Sequence, residues 1–90
     1  MYVVRLKSID GIANFKAFGS RTLAISHFEA GESQVIDESL NEAALFDVAS
    51  TSDPRAAIRL VREGRVALSR IYPRPMTQAQ AAALLADLNL

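Results

Sequence analysis

The chain has 90 residues, half of them apolar and 22% charged, with ten basic and ten acidic side chains that cancel to zero net charge. That composition excludes disorder driven by low hydrophobicity and excess charge, and the length suits one domain with one core. The chain has no Cys, which removes disulfides, thiolate nucleophiles and cysteine-based metal or cluster sites.

Tyr2 to Lys7 alternates apolar with basic residues, the period of a half-buried strand and not of an export signal or a membrane span. A first strand is predicted there, and the cytoplasm is the expected compartment. Asp10-Gly11 breaks the pattern. Phe15, Phe18, Thr22, Ile25 and Phe28 then recur every three or four residues, which predicts a helix from Ser20, or from as early as Asn14, to a stop at Gly31. Val35-Ile36, set in the polar stretch from Gly31 to Asn41, reads as a short strand over 33–37 or as the helix tail. Ala43 to Ser50 is a better strand, with Ala44, Phe46 and Val48 on one face and Leu45, Asp47 and Ala49 on the other.

Ser52-Asp53-Pro54 marks the clearest boundary. Asp53 can accept the first free amide hydrogens of a helix, and Pro54 at the first helical position gives up only an amide that would go unpaired. Gly64 supplies the stop. In between, Ala57, Ile58, Leu60 and Val61 fall on one side of the wheel and Arg55, Arg59 and Arg62 on the other. A strand over 66–71, a stiff Tyr72-Pro73-Arg74-Pro75 connection and a capping-box helix opening at Thr77-Gln78-Ala79-Gln80 complete the chain. Residues 1–72 are thus read as an α+β core, 73–76 as a Pro-rich linker, and 77–90 as a helix packed on the core or on a partner.

With the 33–37 strand the order is βαββαβ plus a C-terminal helix, a two-layer split βαβ (ferredoxin-like) arrangement. Without it the order is βαβαβα around a small three-stranded α/β sheet. The first reading places Tyr2, Val4, Leu6, Ala44, Phe46, Val48, Val66 and Leu68 against the helices. It leaves an open sheet face bearing Val3, Arg5, Leu45, Asp47 and Ile71, with Arg5 and Asp47 close enough to pair.

Enzyme signatures are thin. His27 is the only histidine and is expected on the wet side of the first helix. Neither a nucleophile–base–acid set nor a metal-ligand spacing can be assembled around it, so no catalytic residue, metal or cofactor is assigned. The four glycines are scattered and make no phosphate-binding fingerprint. Ser50-Thr51-Ser52 could hold an anion at the helix start, but Asp53 claims the same amides and would repel one.

The strongest signal is charge layout. Between residues 22 and 54 there are seven acids and no Lys or Arg, whereas residues 55–74 hold six arginines against Glu63 alone. Arg55, Arg59, Arg62 and Arg65 form the candidate interaction surface. The acidic block makes a protein partner, including a second copy in a two-fold dimer, the leading expectation. The chain therefore reads first as a small non-catalytic interaction or homodimerisation module. Nucleic-acid or polyanion binding through the arginine-lined helix comes second, disfavoured by the zero net charge. A small enzyme with Arg5, Asp47 and Tyr2 or Tyr72 on the open sheet face comes third.

Overall fold

A computed structural model describes residues 1–74 and 78–88. Alternation in β1 (Tyr2–Ser8) sends Tyr2, Val4 and Leu6 to one face and Val3, Arg5 and Lys7 to the other. The chain then turns tightly: Gly11 takes φ 87, its amide donates to the Ser8 carbonyl at 3.0 Å, and the Ser8 amide donates to the Ile12 carbonyl at 2.8 Å. It returns as β2 (Ala13–Phe18), antiparallel to β1 with Arg5 opposite Phe15. The three-residue spacing of Phe15 and Phe18 is thus not helical. Ala13-Asn14-Phe15-Lys16-Ala17-Phe18 is an alternating strand, and Phe15 and Phe18 serve opposite faces of the sheet.

Helix α1 (Arg21–Ile36) starts at Ser20, whose hydroxyl accepts from the Leu23 amide. It runs straight through the expected stop at Gly31 and absorbs the expected 33–37 strand. Gly31 faces the sheet at close range: a Cβ there would lie 2.5 Å from Leu6 Cδ2 and 3.2 Å from Ala43 Cβ. Glycine here lets helix and sheet approach, and the packing gained outweighs its poor helix propensity of about 1 kcal/mol. The helix ends where Glu38 adopts φ 65, with the Glu38 and Ser39 amides donating back to Val35 and Gln34.

Strand β3 (Leu40–Asp47) pairs with β1, and β4 (Leu68–Tyr72) with β3, giving one antiparallel sheet in the order β2-β1-β3-β4. Between them, α2 (Pro54–Arg62) is capped by Asp53, which accepts from the Arg55 amide, and ends at Gly64 with φ 70. The chain is α+β, as expected, but its order is ββαβαβα. Neither the ferredoxin-like βαββαβ order nor the βαβαβα alternative is the one found.

Nor does the expected open face exist. Register pairs Val3 with Phe46 and Val4 with Leu45, so Val3 joins Ala44, Phe46 and Val48 on one side while Val4 joins Ala43 and Leu45 on the other. Ala57 and Val61 of α2 cover the first set; Ala24 and Phe28 of α1 cover the second. Both faces of β1 and β3 are apolar, so each requires a helix, and the result is a sheet sandwiched between α1 and α2. Val3 and Leu45, both assigned to one open face, are buried on opposite faces.

After a cis Tyr72–Pro73 bond the chain reaches α3 (Gln78–Leu88), which among the described residues has no extensive contact with another element. The Cα radius of gyration is 15.2 Å and the long dimension 53 Å, against about 12 Å expected for a compact domain of this length. Leu84 and Leu85 are 46% and 60% exposed. The capping residue Thr77 lies outside the described residues. Among the described residues, no helix is long and apolar enough to cross a membrane.

Candidate functional site

Sheet register decides which charged side chains meet. Arg5 points to the α2 side and Asp47, opposite Tyr2, to the α1 side, so the expected Arg5–Asp47 pair does not form. Arg5 instead donates from Nη2 to Glu42 Oε1 at 2.6 Å, with its guanidinium 5.2 Å from the Phe46 ring centroid. Its Nε is buried without a hydrogen-bond partner; the face of Phe46 offsets part of that cost. The ion pair and the ring hold this arginine in place as part of the packed sheet.

On the α1 side, α1 and the edge strand β4 meet through the Arg70 side chain, and a groove of shallow depressions flanks that contact. One depression of about 450 Å³ is lined by Phe28, Glu32, Leu68, Ile71, Tyr72 and Arg74, together with Ser69 and Arg70. A second, of about 250 Å³, shares Ser69 and Arg70 and adds Tyr2, Arg21, Ile25, Leu45 and Asp47. Arg70 stands at their junction, 3.3 Å from Glu32 Oε1 and 4.8 Å over the Phe28 ring. Tyr2, Tyr72 and Asp47 therefore gather along this groove, in the company of Arg70 and Arg21 and without Arg5; Ile71 borders the first depression but sits opposite Ala44 and packs into the α2-side core. A bulge in β4 against Leu45 and Phe46 sets this arrangement, which strand-periodicity arguments do not reveal. Among the described residues, the outer edge of β4 has no neighbouring strand.

His27 packs against the Phe18 ring with centroids 5.2 Å apart. Burial, and secondarily the Lys16 charge, holds its pKa below the usual imidazole value of 6.5. Asp10 closes the β1–β2 turn by accepting from the Ser8 hydroxyl, which holds its carboxyl below the usual range. Among the described residues, no group of His, Asp and Glu is disposed to hold a metal ion. Of the Ser50-Thr51-Ser52 hydroxyls, that of Thr51 accepts from the Asp53 amide, and Asp53 itself occupies the helix start.

The arginine stripe lies on the far side of the sheet. Arg55, Arg59 and Arg62 are exposed on α2 and, with Ile58, line a depression of about 360 Å³. Arg62 lies 4.9 Å over the Phe15 ring. Arg65 does not belong with them: it sits beyond Gly64 and meets Glu63 at 3.6 Å. Among the described residues no carboxylate pairs with Arg55, Arg59 or Arg62.

The acidic block is mostly elsewhere. Glu29 and Glu32 lie on α1, Asp37 and Glu38 at its end, and Asp47 on the strand face beneath it. Basic stripe and acidic block therefore flank opposite faces of the sheet and do not form the one self-complementary patch that a two-fold pairing needs. No protein-family model matches the chain, and neither a curated protein nor a solved structure matches it.

Proposed function

We propose that the chain is a non-catalytic association module that pairs with a second copy of itself, the helix α3 of each copy seating in the α1–β4 groove of the other. The observation that carries this reading is that, among the described residues, α3 has no extensive contact with the other elements and leaves Leu84 and Leu85 exposed. A helix this short is marginal alone even when alanine-rich, as α3 is, and gains its stability from packing an apolar face. The groove offers matching surface: half-buried Ile25 and Tyr72, and Leu68, 44% exposed, on its strand side, above a floor closed by the buried Phe28 and Leu45. One helix in one groove is a small contact, and reciprocal exchange doubles it toward the roughly 800 Å² per partner of a stable interface.

Sedimentation across a wide concentration range tests the reading directly. The expected result is a dimer that L84D/L85D converts to a folded monomer. Because the chain has no Cys, S69C with L85C should trap the exchange as an intermolecular disulfide. A strict monomer at every concentration, or a dimer that L84D/L85D leaves intact, overturns it.

A further inference from the structure

The stripe on α2 has a chemistry that self-association through the opposite face of the sheet does not use. Three guanidiniums, from Arg55, Arg59 and Arg62, border one depression of about 360 Å³ with Ile58 as its apolar wall. No carboxylate among the described residues ion-pairs with them: Glu63 lies 3.6 Å from Arg65, and Asp53 accepts from the Arg55 backbone amide. Arg62 is held over Phe15, so part of the ordering cost of a bound anion is already met. We propose that Arg55, Arg59 and Arg62 form a binding site for a small phosphate-bearing molecule, its phosphate held by the guanidiniums and its organic body against Ile58.

Charge concentration selects the ligand. A single carboxylate balances one guanidinium, whereas a phosphate ester places up to two negative charges and three acceptor oxygens at one point. The planar guanidinium fork matches such oxygens two at a time. A depression of this size admits a compact group. A nucleic-acid strand would also require aromatic faces for its bases, and on this side of the sheet the faces of Phe15 and Phe46 are covered by Arg62 and Arg5.

The test is amide NMR of the full chain titrated with phenyl phosphate and, separately, inorganic pyrophosphate at physiological salt. The expected result is saturable one-to-one binding with shifts centred on residues 55–62. R59A and R62A should each weaken it about tenfold, R59K should weaken it less, and R65A should leave it within about twofold. All these side chains are exposed, so far-UV circular dichroism of each variant should match the parent. Non-saturating shifts, an R65A loss equal to that of R59A, or equal shifts around Arg21 and Arg74 would overturn the site. So would a single-stranded oligonucleotide or an acidic peptide that binds residues 55–62 and is not displaced by phenyl phosphate.

Discussion

Helices α1 and α2 do the same job on opposite faces of one sheet by different means. Helix α1 gets close: Ala24 and Gly31 are its small buried contacts, and Phe28 is its single large one. Helix α2 is shorter, buries Ala57 and Val61, and separates its apolar side sharply from its arginines. The first is defined by what it touches in the sheet, the second by its own termini and wheel. Only the second kind of definition is written locally in the sequence.

The largest effect expected from breaking that comparison is at Phe28. It is almost fully buried and carries Arg70 on its ring, so F28A should cost about 3 to 5 kcal/mol. Its counterpart on the other face, V61A, should cost about 2 kcal/mol. Denaturant unfolding of the two variants checks the order, and equal losses would show that the two helices contribute alike. Next comes Gly31. An added methyl raises helix propensity but drives into Leu6 and Ala43, so G31A should destabilise by about 1 to 2 kcal/mol despite the better helix former. A stabilised G31A would mean that α1 can lift off the sheet without loss.

The helix ends sharpen the contrast. Both α1 and α2 finish with a residue in the left-handed region, Gly64 at φ 70 after α2 and Glu38 at φ 65 after α1. Glycine adopts that conformation without strain and glutamate does not. G64A should therefore cost about 1 kcal/mol, whereas E38G should gain about 0.5 kcal/mol, partly offset by the greater freedom of the unfolded chain. Thermal melts resolve both, at roughly 4–8 °C per kcal/mol for a domain of this size.

The same two residues explain what could be read in advance. Helix α2 was legible because Asp53-Pro54 and Gly64 are the residues its termini call for. The end of α1 was not, because a glutamate stands where a glycine stop is sought and a glycine stands mid-helix for a tertiary reason. The β2 strand was hidden by Phe15 and Phe18, whose spacing fits a helix as well as a strand that serves two faces. The α+β class survived these errors because it depends only on strands and helices alternating around apolar segments. The open face did not, since it rested on which strand residues lie opposite one another, and a one-residue shift in pairing moves every side chain to the other side. The α1–β4 groove was out of reach for the same reason: Tyr2, Arg21, Asp47 and Arg70 come from four segments and meet only through that register. The arginine stripe needed no register, being a property of one helix: Arg55, Arg59 and Arg62 lie together on α2, and Arg65 lies beyond its end.

The smallest effect concerns His27, on the α1 face against Phe18 and near Lys16. Its neutral form is favoured in the folded chain, because burial and the Lys16 charge both oppose protonation. Its folded pKa therefore lies below that of the unfolded chain, near 6.5. Between those two values the unfolded chain binds more protons, so stability from this group is intact above pH 6.5 and declines as pH falls through the folded pKa. H27Q, which cannot gain a proton, should flatten the stability profile over that acid window and leave stability above pH 7 nearly unchanged. K16Q removes only the lesser of the two causes and should flatten it partly. Because His27 packs against Phe18 on the α1 side of the sheet and Arg55 lies on α2 across it, Arg55→Gln should leave the slope as it is. A slope that responds equally to H27Q and to R55Q would mean that the two faces titrate as one charge distribution and not as the separate surfaces their packing describes.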